Sequence, residues 1–163
     1  MKDQDKNDHY TVQTHFTSES GLTESMENYI EVISQLSESL KVVRVKNIAK
    51  VLDVKMPSVS AALSVLAKKG MVNYEKYDYV ELTSKGKEIA RQLRKRHEVL
   101  KKFLIDVLCV DQKMAENDSC RIEHHISKQT IENIVKFIEY ISNCPNDQKK
   151  CLTGFRDYVK KNH

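Results

Sequence analysis

Asp53-Val54-Lys55-Met56-Pro57-Ser58-Val59-Ser60-Ala61-Ala62-Leu63-Ser64-Val65-Leu66 is the stretch on which the fold turns. Asp53 to Met56 reads as a tight turn. Pro57 stands where a first helical residue belongs, because its missing N–H would be unpaired there in any case. Val59, Ala62, Leu63 and Leu66 recur at three- and four-residue steps and give the helix one apolar face. Gly70 ends it. Upstream, Val45, Ile48, Ala49 and Leu52 mark a short helix. Before that, Met26, Tyr29, Ile30, Ile33 and Leu36 mark another that starts at Thr23. Downstream, residues 71–82 carry β-branched and aromatic residues around a polar centre and read as a short hairpin. Thr83-Ser84 then cap a long helix from about Lys85 to Leu108. Two helices, a tight turn and a hairpin in this order spell a winged helix-turn-helix; an ordinary helical bundle would leave the hairpin and the capped long helix unexplained.

The remaining pattern is helical. Asp111 starts a helix expected to end near Ile126, and Ser127 caps another with Ile131, Ile134, Val135, Ile138 and Ile141 on its apolar face. Cys144-Pro145-Asn146-Asp147 breaks that helix, and Leu152, Phe155, Tyr158 and Val159 outline a last amphipathic one. Residues 1–20 are polar and unpatterned and read as a disordered tail. The fold class is mainly α.

Composition narrows the function. An apolar share of 40% over 163 residues supports a core in one or two small domains. No apolar run reaches membrane-spanning length, and the N-terminus lacks a secretion signal. A cytoplasmic location with reduced cysteines is therefore expected. The net charge of +4 is unevenly spread. Residues 41–102 carry sixteen Lys and Arg against six Asp and Glu, whereas residues 103–141 carry four against seven. A basic middle followed by an acidic segment suggests that the middle meets a polyanion; a solvated lysine face is the plainer reading of the same charges.

In a helix-turn-helix, the start of the second helix faces base edges in the major groove. Pro57, Ser58, Ser60, Ala61 and Ser64 occupy that position. Their short side chains admit close approach, with hydroxyls for phosphates or bases and apolar carbons for thymine methyls. Lys46, Lys50, Lys55, Lys68 and Lys69 are suited to phosphates, and Lys76, at the hairpin tip, to a wing contact.

Asn117-Asp118-Ser119-Cys120-Arg121-Ile122-Glu123-His124-His125 carries the second signal. On a continuous helix, Cys120, Glu123 and His124 fall at i, i+3 and i+4 and share one face. A thiolate, a carboxylate and an imidazole so placed suit a divalent metal, although such triplets also arise by chance on surface helices. Asn28 and Glu31 stand at i, i+3 on the first helix, and His97 lies midway along the long one.

Taken together, Ser25-Met26-Glu27-Asn28-Tyr29-Ile30-Glu31, Pro57-Ser58-Val59-Ser60, Tyr74-Glu75-Lys76-Tyr77, Leu82-Thr83-Ser84-Lys85-Gly86, Arg96-His97-Glu98 and Cys120-Arg121-Ile122-Glu123-His124-His125 resemble, in order and spacing, the diphtheria-toxin-repressor family of metal-dependent regulators, above all its manganese-transport-regulator branch. The resemblance covers roughly residues 22–141. It implies an N-terminal winged helix over 21–83, and a linking helix with an all-α metal-binding and dimerisation domain over 84–142. A C-terminal helical extension over 143–163 completes the two-domain form, without the barrel that some members carry. It also implies a homodimer that binds operator DNA and represses metal-homeostasis genes when metal is bound. Carried over by motif, the ligand positions are Asn28, Glu31, His97, Cys120, Glu123 and His124. The iron-responsive branch has Cys at the position of Cys120 and Met at that of Asn28; the manganese branch has Glu and Asp there, and shares Glu31. The iron branch's ancillary site falls on His97, Lys101 and Glu116, and a lysine cannot ligate. His97 and Glu116 with help from Glu123 remain as a second-ion set.

Ligand softness favours Fe²⁺ as cofactor because of Cys120, with Mn²⁺, Zn²⁺, Co²⁺ and Ni²⁺ as alternatives. Subunit contact is expected through Ile122, Ile126, Ile131, Ile134, Val135 and Ile138, which equally suit an internal core. Cys109 reads as a small buried hydrophobe, and Cys144 with Cys151 as at most a weak second metal or redox pair. Two rival readings keep part of this. A metal-independent, ligand- or redox-responsive regulator retains the DNA-binding half. A small metalloenzyme would need a phosphate loop, an HExxH or a nucleophile motif, and the chain has none, so no enzymatic activity is expected.

Overall fold

The computed structural model describes residues 21–75, 79–143 and 146–161. Their elements are α1 (Glu24–Ser39), α2 (Val45–Leu52), α3 (Met56–Lys68), β1 (Val72–Tyr74), β2 (Val80–Leu82), α4 (Ser84–Asp106), α5 (Gln112–Ile122), α6 (Lys128–Asn143) and α7 (Asn146–Lys161). The expected tail at 1–20, the hairpin tip with Lys76, and the side chains of Cys144 and Cys151 lie outside the described residues. No described helix is long and apolar enough to cross a membrane.

Local chemistry sets the element ends. The Thr23 hydroxyl accepts from Met26 N–H at 3.4 Å and caps α1, where Glu24 and Glu27 favour the positive end of the helix dipole. Asp53 ends α2 in the left-handed region at φ 51°, and Pro57 sits within the first turn of α3. Gly70, at φ 72°, ends α3 in a conformation that costs glycine little. The two strands pair antiparallel with Val72 opposite Leu82, Asn73 opposite Glu81 and Tyr74 opposite Val80; Val43 adds an isolated bridge, accepting from Val80 N–H at 2.8 Å. Thr83 Oγ1 accepts from Gly86 N–H at 3.1 Å and donates to the Gly70 carbonyl at 2.7 Å, which ties the end of α3 to the start of α4.

Two apolar cores lie along α4. The first joins α1, α2, α3 and the hairpin through Ile30, Ile33, Ile48, Val59, Leu63 and Leu66, all fully buried, and is closed by Ala90. The second joins Val99 and Leu100 of α4 to Ile131 and Val135 of α6, with Ile126, Ile134 and Ile138 packed against it. Of these residues, Ile131 and Val135 are buried inside the chain, Ile126, Ile134 and Ile138 are partly buried against them, and Ile122 is exposed. Phe103 and Phe137 meet edge to face with ring centroids 6.1 Å apart. Arg156 of α7 donates from Nε to the Asp106 carbonyl at 3.1 Å and also through its guanidinium NH₂, satisfying an end group of α4.

Two expectations need correction. The helix begun at Asp111 stops at Ile122 rather than Ile126, and residues 123–125 form a turn held by Glu123 N–H to Ser119 O and His125 N–H to Ile122 O. Cys109 is only half-buried: it takes φ 60° just after α4, so it works as a backbone turn rather than a core side chain.

The tightest packing is at Gly86. A Cβ there would lie 2.1 Å from the Met71 carbonyl oxygen, against backbone that cannot yield. Gly86→Ala should destabilise the chain by roughly 1–3 kcal/mol, read as a lower urea midpoint; an unchanged midpoint would show that α4 and the hairpin are not so closely seated.

Candidate metal centre

The side chains read as ligands come from three elements. Glu31 projects from α1, His97 from the middle of α4, and Glu123 and His124 from the turn that ends α5. Ligand atoms of Glu31, Glu123 and His124 all lie within 4.8 Å of one another, among the described residues the one such carboxylate, imidazole or thiol group. His124 Nε2 is 3.6 Å from Glu123 Oε1 and 3.8 Å from Glu31 Oε2. His97 Nδ1 is 3.2 Å from Glu123 Oε2. Glu123 and His124 are almost wholly enclosed, with side chains 2% and 1% exposed. The open side is a cleft of about 490 Å³ between α1, α4 and α5, with Glu31, His97, Glu116, Cys120 and Glu123 in its lining.

Each histidine is held by a carboxylate away from the cluster. His124 Nδ1 is bonded to Glu27 Oε2 at 2.9 Å, and His97 Nε2 to Glu116 Oε1 at 3.0 Å. With the proton on the tethered nitrogen, the other nitrogen is turned toward Glu123 as an acceptor, the arrangement that orients metal-binding imidazoles. Glu123 Oε2 and His124 Nε2 are buried and lack hydrogen-bond partners. Orphaned groups of this kind cost free energy, and a cation among them satisfies both. The donor set therefore fits a divalent ion.

Electrostatics agree. Burial, reinforced by the Glu123 carboxylate, pushes the Glu31 pKa up to about 7 from its ordinary 4.5. The adjacent Glu123 carboxylate raises His97 and bonding to Glu27 raises His124, each against the opposing effect of burial. Each of these shifts favours the protonated form of its group. Arg96 is buried beside it, its pKa drawn down by desolvation against the pull of Glu27 and Glu123.

The other expected positions fare unequally. Cys120 lines the cleft together with Glu123 but is exposed, and it lies outside the close Glu31, Glu123 and His124 group. Burial first, then Glu123, Glu31 and Glu116, push its thiol pKa up. Asn28 is half-buried on α1 and does not line the cleft. Glu27 was not singled out from the sequence, since a glutamate in a first turn reads as a dipole partner. Its signal was its place among Met26, Ile30 and Ile33, which sets it on the buried stripe. In the DNA-facing set, Lys46, Lys55, Pro57, Ser58, Ala61 and Ser64 are exposed and Ser60 is half-buried. The Ser64 hydroxyl donates to the Ser60 carbonyl at 2.8 Å, leaving its lone pairs outward.

A winged helix whose first helix shares a carboxylate–imidazole cluster with a downstream helical unit is the architecture of a metal-responsive transcription regulator. Comparison with known proteins gives the family. Residues 21–80 match the iron dependent repressor N-terminal DNA-binding domain, and residues 83–152 its metal binding and dimerisation domain. The chain is 40% identical over 128 residues to the HTH-type transcriptional regulator MntR of Bacillus velezensis, covering 78% of this chain and 89% of that one. It is 42% identical over 118 residues to MntR of Bacillus subtilis, covering 72% and 82%. A solved manganese-dependent transcriptional repressor in complex with manganese superposes with a TM-score of 0.61 at 26% identity, over 67% of this chain and 50% of that one. The chain belongs to the iron-dependent repressor family and is a metal-dependent transcriptional repressor of the diphtheria-toxin-repressor and MntR type.

Two outcomes test the centre. Glu27→Gln should weaken metal binding by about 10–100-fold without loss of fold, measured by calorimetric titration with Mn²⁺; unchanged affinity would remove Glu27 from the site. The raised pKa values of Glu31, His97 and His124 all favour the folded, metal-free chain at low pH, and that contribution fades as pH climbs through their folded values. The urea midpoint of the metal-free chain should therefore fall as pH rises from about 4.5 through about 7, the ordinary and folded values of Glu31, while Mn²⁺ affinity rises over the same range. A flat profile would contradict the cluster's electrostatics.

Proposed function

We propose that the chain represses transcription by binding operator DNA as a homodimer when its centre holds a divalent ion, with Mn²⁺ as the physiological metal. The observation that carries the reading is the convergence of Glu31, from the DNA-binding unit, with Glu123 and His124, from the helical unit, around orphaned buried donor atoms. The bound ion supplies positive charge that cancels the repulsion between buried carboxylates. Glu31 anchors α1 to that point, His97 anchors α4, and Glu123 with His124 anchor the end of α5. Fixing these elements together narrows the orientations of the winged helix relative to the helical unit. In a dimer, the two α3 helices must reach half-sites about one helical turn apart, so narrowing favours the DNA-competent arrangement by population shift.

Mn²⁺ is favoured because the enclosed donors are oxygen and imidazole and because MntR proteins match 72% to 78% of this chain at 40% to 42% identity. Fe²⁺ is the second reading: Cys120 lines the same cleft, and a softer ion recruits its thiolate. On the DNA face, Pro57, Ser58, Ser60 and Ala61 read base edges, with Ser64 on the next turn, while Lys46 and Lys55 hold phosphates. Lys76 is assigned to the wing on sequence grounds. The exposed Tyr140, Phe137, Phe155 and Tyr158 on α6 and α7 offer apolar surface for the second subunit. Repression acting in the cytoplasm on metal-homeostasis genes follows from the same reading.

The test is selection from a pool of random duplexes on the protein with Mn²⁺, followed by fluorescence anisotropy of the enriched duplex with Mn²⁺, with anaerobic Fe²⁺ and with chelator. Binding only with metal, lost in Glu123→Ala and His124→Ala, is expected, with Mn²⁺ effective below Fe²⁺ concentrations. Equal binding under chelator would overturn the metal switch. Lys55→Ala should weaken binding to all sequences alike and reduce the salt slope by about one.

A further inference from the structure

Lys101 lies one turn beyond His97 on α4, and its ammonium is ion-paired with Glu116 Oε2 of α5. The other oxygen of the same carboxylate is 3.0 Å from His97 Nε2, while His97 Nδ1 faces Glu123 at 3.2 Å. The imidazole is thus threaded between an inner and an outer carboxylate, and a lysine anchors the outer one.

We propose that the Lys101 ammonium is a built-in cation standing in place of a second metal ion: it holds Glu116 as the positioning partner of His97 and limits the centre to one divalent ion per chain. The inference rests on the reading of Glu31, Glu123 and His124 as a metal centre. A histidine that ligates through one nitrogen carries its proton on the other, and that N–H needs an acceptor. Glu116 Oε1 is the acceptor for His97, as Glu27 is for His124. To ligate a second ion, Glu116 would have to share oxygens already engaged by His97 and Lys101, and the ion would lie against an ammonium group that repels it and has no lone pair to offer. Charge leads to the same number. The carboxylates touching the two histidines are those of Glu27, Glu31, Glu116 and Glu123, and the cations beside them are Arg96 and Lys101. One divalent ion brings this set to neutrality, whereas two leave excess positive charge beside a buried guanidinium.

Anaerobic equilibrium dialysis against Mn²⁺, with the metal counted per chain by elemental analysis and its electron paramagnetic resonance recorded, tests this. Wild type should hold one Mn²⁺ per chain with an uncoupled signal. Lys101→Glu replaces the cation by a carboxylate beside Glu116 and His97, and should hold two with an exchange-coupled signal. Glu116→Gln should keep one ion per chain at about 10–100-fold weaker affinity. Two ions in wild type, or one ion in a folded Lys101→Glu chain, would overturn the role of Lys101 and leave the metal centre standing. No Mn²⁺ in wild type would overturn the metal reading itself, and the inference with it.

Discussion

Burying carboxylates beside one another is the constraint on which this molecule depends. Glu123 is enclosed almost completely, Glu31 is raised toward neutrality by burial and by Glu123, and His124 is wedged between them. Ionised groups so placed repel one another in a medium that screens poorly. The packing of α1, α4 and the end of α5 therefore depends on something positive at their meeting point, whether protons on the histidines and Glu31 or a metal ion. Because α1 belongs to the apolar core of the winged helix and α5 packs beside the second core, the requirement falls between the two cores. The site is less a pocket with a ligand than a joint whose stiffness follows its charge.

Much of the scaffold was legible because its signals are local. Thr23 and Thr83 cap helices as their positions suggest, Gly70 ends α3 in the left-handed region, and the residues around 71–82 fold back as a hairpin. The failures also have physical causes. The helix begun at Asp111 ends at Ile122 in a turn, and Cys120, though on the cleft with Glu123, is exposed where Glu123 and the His124 side chain are enclosed, a difference in depth that spacing alone does not carry. Glu27 was missed because its place on the buried stripe of α1 shows that it is enclosed but not that its partner is His124, 97 positions away. The isoleucines of α6 suited two environments equally in sequence, and packing against α4 buries Ile131 fully and Ile134 and Ile138 in part.

The donor set combines features that the resemblance assigns to different branches of the family. Asn28 and Cys120 set the chain apart from the manganese branch, whereas Glu31 joins it. In the structure, Glu31 belongs to the cluster, Cys120 lines the cleft on its open side, and Asn28 is half-buried on α1 outside that lining.

The seat of α4 on the hairpin has a mechanical consequence. Between His97 and Gly86, α4 runs about 16 Å as an unbroken helix, and at Gly86 its backbone rests on the Met71 carbonyl with no side chain between. Side chains act as compliant padding, because rotamers shift before backbones do; bare backbone contact has no such slack. A tilt of a few degrees set at His97 displaces the base of the hairpin by roughly an ångström through this lever, so α4 works as a crank arm whose bearing is a glycine.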